Sequence, residues 1–131
     1  MVKMYFNRRR QKMYRCMCRC KIKGGKVTDK NLRYEGSITI DTKVLIEAGI
    51  FPGEMVQVLN LNNGKRISTY TIEGETNSGT ICLNGPAARH FEKGDEVIIL
   101  GVSFAEESEI LKKWDIKVVE LDDNNRIRLE N

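Results

Sequence analysis

The chain has 131 residues, 22 of them basic and 18 acidic, for a net charge of +4. That length suits one domain with one core, and no run approaches the ~18 apolar residues of a membrane-spanning helix. The charge excess is mild and gathers early, at Arg8, Arg9, Arg10, Lys12, Arg15, Arg19, Lys21, Lys23 and Lys26. A basic tail can attract nucleic acid or acidic lipid, but a solvated terminus is the commoner use of such a run.

The first residues lack the apolar segment of a secretory signal. The expected compartment is the cytoplasm, with neither membrane nor nucleic acid as partner. Cysteines stand at Cys16, Cys18, Cys20 and Cys82, and in a reducing compartment they are expected as thiols. Structural zinc sites use two pairs of cysteines, each spaced by about two to four residues. The Cys-x-Cys-x-Cys run has the wrong spacing and Cys82 stands alone, so no metal is expected. On a strand the three clustered cysteines should share one face.

In chain order, residues 1–12 read as an extension and 13–131 as one domain. Met13 to Lys23 alternates as a strand that Gly24-Gly25 should break. Lys26-Val27-Thr28 resumes extended, and Thr28 to Leu32 suits a short helical turn. Tyr34-Glu35-Gly36-Ser37 is a loop leading into the strand Ser37 to Ile40. Asp41 is a good N-cap for a helix from Thr42 to Ala48, with Gly49 as its stop. Phe51-Pro52-Gly53-Glu54 is a turn. Met55 to Leu61 and Arg66 to Ile72 pair as a hairpin, because Asn63-Gly64 between alternating runs is a strong hairpin signal.

Thr80 to Leu83 is a short apolar strand, and Asn84 to His90 a turn with about one helical turn. Glu96 to Leu100 is a strand. Ala105 to Trp114 suits a helix, on which Glu109 and Lys113 stand four apart. Lys117 to Leu121 and Arg126 to Leu129 read as a terminal hairpin around Asp122 to Asn125. Many short strands with few helices predict a small, mainly β barrel.

Lys21, Tyr34, Ser37, Arg66, Thr69, Tyr70 and Asn84 place polar groups where a core would not need them. Singly, each has a bland reading. Lys21 is a surface lysine, Tyr34 packs over its loop, Tyr70 is half-buried packing, Asn84-Gly85 is a turn, and the lone His90 is structural. Together, and in register, they carry a resemblance. Lys21-Ile22, Tyr34 to Asp41, Asn63 to Tyr70 and Asn84-Gly85-Pro86-Ala87-Ala88 resemble aspartate 1-decarboxylase, the pyruvoyl-dependent enzyme family of pantothenate synthesis.

The resemblance implies a six-stranded double-psi β-barrel with short helices, assembled as a homotetramer. It also implies a proenzyme that cleaves itself between Gly36 and Ser37, giving chains 1–36 and 37–131. The Ser37 hydroxyl attacks the Gly36 carbonyl, and the amide becomes an ester. Elimination releases the chain ending at Gly36, and the dehydroalanine left at 37 hydrolyses to a pyruvoyl group. Glycine at 36 leaves the carbonyl unhindered and accepts unusual backbone angles. The pyruvoyl ketone is the covalent cofactor. It condenses with the amine of L-aspartate and takes up the electrons left by CO2, as pyridoxal phosphate does elsewhere. β-Alanine is the product.

Roles follow by resemblance. Ser37 is the pyruvoyl precursor and Schiff-base site, and Thr69 stabilises the oxyanion during cleavage. Tyr70 is the proton donor at Cα, since a phenol ordinarily holds its proton to about pH ~10. Arg66 binds a carboxylate through its planar fork, with Lys21 as a second cation. Asn84 hydrogen-bonds the enolate-like oxygen, and Gly85, Pro86 and Ala87 complete the substrate site. Pro86 replaces the usual alanine and has no N–H to offer. Lys23 stands where some relatives carry histidine.

One other class is coherent. Ser37 to Val58, read as strand, short helix, glycine-proline turn and strand, also resembles the swapped-hairpin transcription regulators. A DNA-binding dimer would use the basic N-terminus and bind with strong salt dependence.

Overall fold

The computed structural model describes residues 12–129. Nearly all of the expected extension at 1–12 therefore lies outside the described residues. The chain forms strands β1 (Tyr14–Lys26), β2 (Asp29–Asn31) and β3 (Ser37–Asp41), then helix α1 (Thr42–Ala48). Strands β4 (Met55–Asn60), β5 (Arg66–Gly74) and β6 (Ile81–Asn84) follow, and a 3-10 segment (Gly85–His90) comes next. Strand β7 (Glu96–Glu106), helix α2 (Glu107–Lys112) and strand β8 (Lys117–Glu120) complete the described fold.

The strands pair in one row, β2-β6-β3-β5-β4-β7-β1-β8. Six strands, from β6 to β1, form its middle, and the short β2 and β8 flank them. Among the described residues no ladder closes the row. The chain itself spans the gap, because only Val27 and Thr28 separate β1, next to one end of the row, from β2 at the other end. Thr28 bonds Ile81 through its backbone N–H at 2.8 Å and its hydroxyl at 3.1 Å. That places the end of β1 beside β6 and wraps the sheet around one core.

The core follows the period of two expected of strands. Val56 and Val58 of β4 point inward, as do Val97 and Ile99 of β7. Ile38 and Ile40 of β3 join them, with Leu83, Ile81 and Phe91. Each such side chain contributes about 1.5–3 kcal/mol when fully buried. The helix α1 agrees with expectation to the residue. Asp41 caps it by accepting from the Lys43 N–H at 2.9 Å, and Gly49 ends it in the left-handed region. Asp41 also accepts from the N–H groups of Asn77 at 3.0 Å and Gly79 at 2.9 Å. One buried carboxylate thus ties the helix start to the loop after β5.

Several expectations needed correcting. Gly24-Gly25 does not end β1. The strand continues through a bulge between Ile22 and Gly25, with Gly24 at φ 82°. A side chain there would meet the Leu121 carbonyl at 2.6 Å, so the close approach requires glycine. A second bulge between Cys18 and Cys20 breaks the shared face of the cysteines. An extra residue on one strand shifts the side-chain alternation, and Cys20 is buried while Cys16 is exposed.

Thr28 to Leu32 is not a helical turn, because β2 pairs in parallel with β6. The helix expected from Ala105 starts only at Glu107, since β7 extends to Glu106 against β1. The terminal hairpin shrinks to a single bridge, Leu121 with Ile127. Its anchor is the buried Asn125, whose amide donates to the carbonyls of Lys26 and Gly79, both at 2.8 Å.

Candidate active site

Ser37 begins β3, and its Cα partner on the antiparallel β6 is Asn84. Both are buried. The Asn84 amide donates to Ser37 Oγ at 2.9 Å and to Thr39 Oγ1 at 3.0 Å. The Ser37 hydroxyl donates to the Glu35 carbonyl at 3.2 Å. Burying a serine costs free energy unless its hydroxyl is paired, and here it both donates and accepts.

Gly36 precedes it at a bend and is partly exposed. Its φ is not in the left-handed region, so the unusual angles expected at Gly36 are absent. The left-handed residue is Gly85, at φ 68°. A Cβ on Gly85 would lie 2.7 Å from the Gly36 nitrogen and 2.7 Å from the Tyr34 carbonyl. The glycine that the loop requires is thus the one packed against it. Tyr34 is half exposed.

An open cleft of about 450 Å³ leads to Gly36. Thr69, Tyr70, Pro86, Ala87 and His90 line it together with Gly36. Strand β5 supplies Thr69 and Tyr70, and the 3-10 segment supplies the others. Thr69 is buried and Tyr70 half-buried, and among the described residues neither side-chain hydroxyl has a hydrogen-bond partner. The cleft that reaches Gly36 therefore contains the uncommitted hydroxyls of Thr69 and Tyr70.

The 3-10 segment is held from behind. Asn60 donates to the His90 carbonyl at 3.0 Å and to Asp95 at 2.7 Å, and Asn63 donates to the same carbonyl at 2.9 Å. The His90 carbonyl is thus held by two amides, and His90 also lines the cleft. Sequence reasoning missed this. The turn chemistry of Asn84 to His90 was readable, whereas the side of the cleft on which it lands was not.

Ser37, Asn84 and Gly85 adjoin Gly36 without lining the cleft, and Arg66 and Lys21 do not line it either. Arg66 is exposed at the start of β5, and its Nη1 donates to Gln57 Oε1 at 2.6 Å. Lys21 lies on β1, paired with Leu100 on β7 and Val118 on β8. In the row of strands, β4 and β7 stand between it and β5. Of the cysteines, only Cys82 approaches the site. Its Sγ donates to Asn84 Oδ1 at 3.4 Å. Burial pushes the Cys82 thiol up, and Asp29 adds to this. No group of three or more His, Cys, Asp or Glu side chains arranged to hold a metal occurs among the described residues, and no helix there is long and apolar enough to cross a membrane.

Known proteins resemble this chain closely. The aspartate decarboxylase family matches residues 13–128. An aspartate 1-decarboxylase of Thermoanaerobacter pseudethanolicus is 50% identical over 114 residues, covering 87% of this chain and 97% of the relative. One from Carboxydothermus hydrogenoformans is 50% identical over 115 residues, covering 88% and 90%. One from Leptospira biflexa is 49% identical over 110 residues, covering 84% and 93%. The swapped-hairpin reading is not favoured, since the match runs through the loop before Ser37, the β4–β5 hairpin and the 3-10 segment alike. The family's fold is the double-psi β-barrel, in keeping with a mainly β sheet wrapped on one core and few short helices, and the chain belongs to the aspartate decarboxylase family.

Proposed function

We propose that this protein removes the α-carboxylate of L-aspartate, yielding β-alanine and CO2 for pantothenate synthesis. We further propose that it first cleaves itself at Gly36-Ser37, into 1–36 and 37–131. The observation that carries both readings is the buried Ser37, joined to Gly36 at the end of an open cleft and hydrogen-bonded by Asn84.

The residues present suit a pyruvoyl group at position 37. The oxygens of such a group are acceptors only, and the Asn84 amide, which already reaches residue 37, supplies a donor beside them. Once formed, the pyruvoyl group supplies an electron sink for the departing carboxylate. The chain's other residues bind, orient and move protons. In the proenzyme the Ser37 oxygen attacks the Gly36 carbonyl, and the uncommitted Thr69 hydroxyl donates to the oxyanion that develops. Such a preorganised donor is worth about 10²–10³ in rate.

In the mature enzyme the Tyr70 phenol delivers the proton to Cα. Positioned proton transfer of this kind contributes about 10²–10⁴-fold. Asn84 would donate to the enolate-like oxygen as the carboxylate departs. Gly85, Pro86 and Ala87 shape the floor, and Gly85 and Ala87 retain the N–H that Pro86 lacks.

Arg66 and Lys21 bind the substrate's carboxylates. Neither lines the cleft of its own chain, so we propose that a homotetramer brings them to a neighbouring subunit's cleft. Support comes from the exposed apolar residues Ile46, Phe51 and Phe104, each at least 74% exposed in the single chain. Apolar surface of that kind suits a subunit interface. The proposed setting is the cytoplasm, where exposed thiols such as Cys16 stay reduced.

Intact mass of the purified protein tests the reading. Two chains split at 36/37, the larger blocked at its N-terminus, together with β-alanine formed from L-aspartate, are expected. A single chain that stays whole after prolonged warming and leaves aspartate untouched would overturn it.

A further inference from the structure

Arg66 is exposed, yet its guanidinium is not loose, because Nη1 donates to Gln57 Oε1 at 2.6 Å. The register explains the choice of partner. Directly opposite Arg66 on β4 stands Leu59, which has no polar side-chain atom to offer. Gln57 lies two residues from Leu59 and on the same face. Such diagonal neighbours are within reach of long side chains. A guanidinium carries only donors, so the bond also turns the Gln57 amide with its oxygen toward Arg66.

The same face carries Lys21. Leu100 of β7 is the cross-strand partner of both Lys21 and Gln57, and Ser68 of β5 is the other partner of Gln57. Lys21, Leu100, Gln57 and Ser68 therefore form one row across β1, β7, β4 and β5. Val56 and Val58, on either side of Gln57, are buried in the core, so the row lies on the outer face of the sheet. Neighbouring strands are about 4.8 Å apart, which puts Gln57 about 10 Å from Lys21 across the sheet. The two cations assigned to the substrate thus share one surface, with a neutral amide between them.

That neutrality has a consequence for binding. Among the described residues, neither Arg66 nor Lys21 pairs with a carboxylate. Arg15 and Arg19 of β1 do, with Glu107 and Glu54. A carboxylate at 57 would hold the guanidinium too, but would take up the charge that a substrate carboxylate needs. An amide oxygen engages one N–H and leaves the charge and the other donors free.

We propose that Gln57 is a positioning residue for substrate binding: its amide oxygen holds the Arg66 guanidinium in place without neutralising it. The proposal rests on the function argued above, with Arg66 as a carboxylate site. With the fork ordered before aspartate arrives, less side-chain freedom is lost on binding.

The test reads kcat and KM for L-aspartate in the self-cleaved wild type, Gln57→Leu and Gln57→Glu. Gln57→Leu removes the acceptor. Its KM should rise about two- to tenfold, the cost of ordering one long side chain, with kcat little changed, the signature of lost uniform binding. Gln57→Glu keeps the shape and the acceptor but adds a negative charge, and should raise KM further. In an Arg66→Met background, Gln57→Leu should leave kcat/KM within about twofold, because a residue that acts only through the guanidinium has nothing left to position. A merely structural part in the sheet would persist whatever stands at 66.

Gln57 is only half buried and lies outside the core. Should Gln57→Leu lower the thermal midpoint, Gln57→Met takes its place under the same criteria. A variant lacking the acceptor with the wild-type KM, a Gln57→Glu variant with the wild-type KM, or a loss undiminished beside Arg66→Met would overturn the role of Gln57 while leaving the decarboxylase reading intact. An Arg66→Met protein with the wild-type KM would remove both residues from substrate binding. A wild type that neither splits nor forms β-alanine would instead overturn that reading, and this proposal with it.

Discussion

A methyl group on Gly85 would lie 2.7 Å from the backbone nitrogen of Gly36. The residue before the proposed cleavage point is thus backed by a glycine 49 positions later in the chain (85 − 36 = 49). Gly85 is also in the left-handed region at φ 68°, so two separate constraints exclude a side chain. Both neighbouring atoms belong to backbone, which yields less easily than a flexible side chain.

Gly85→Ala should therefore destabilise the protein by about 1–3 kcal/mol through backbone strain, and slow the break at 36/37. Thermal unfolding and intact mass check the two effects. A variant that melts and splits like the wild type would show that the loop moves aside freely.

Ser37→Ala should remain one uncleaved, inactive chain. The fold should survive, because the Asn84 amide still reaches Thr39 at 3.0 Å and the carbonyl that also loses a partner belongs to the exposed Glu35. The expected loss of stability is about 1 kcal/mol. Any cleavage at 36/37 in this variant contradicts attack by Ser37.

Tyr70→Phe separates maturation from turnover. Splitting should proceed normally. Decarboxylation should fall by about 10²–10⁴-fold in kcat, the usual contribution of a placed proton donor, while KM changes little. Full activity in this variant would exclude Tyr70 as the donor.

Arg66→Lys keeps the charge and removes the planar fork. The KM for L-aspartate should rise by roughly tenfold or more, since a bidentate charge-assisted pair is lost. The carboxamide analogue, L-asparagine, should discriminate less between variant and parent. An unchanged KM for aspartate would remove Arg66 from the binding site.

The cysteines make a prediction about pH. Desolvation pushes the Cys20 thiol up, against the opposing influences of Arg19 and the Gly101 N–H. The folded state then holds this proton more tightly than the unfolded chain. Its contribution to stability is complete below the ordinary thiol value of about 8.5, and is lost as pH rises through the folded value. The thermal midpoint should fall through this alkaline range, with a shallower fall in Cys20→Ala. In native protein, alkylation followed by mass analysis should mark the exposed Cys16 long before Cys20. Equal rates for the two would refute the burial argument.

Much of the local structure was legible from the chain alone. Asp41 and Gly49 bracket their helix through rules that act within one turn. Asn63-Gly64 marks its hairpin for the same reason. Misreadings arose where a distant partner decides. Thr28 to Leu32 has helical turn chemistry, but pairing with β6 makes part of it a strand. Gly24-Gly25 looks like a stop, but the facing Val97 and Ile99 hold the strand across a bulge. The cysteine run alternates in sequence, but the bulge between Cys18 and Cys20 turns Cys20 inward.

The family was legible in the chain, as were the residue types of the proposed site and the Gly36-Ser37 pair on which the proposal rests. Tertiary structure alone decided which of them meet. Strand pairing of β3 with β6 sets Asn84 against Ser37 across 47 positions of chain, and the 3-10 segment carries His90 into the cleft. It also left Arg66 and Lys21 outside the cleft of their own chain. The physical reason is range. Propensity, capping and turn chemistry act over a few residues. The register of paired strands is fixed by burial of the whole sheet face at once, and no short stretch of sequence contains it.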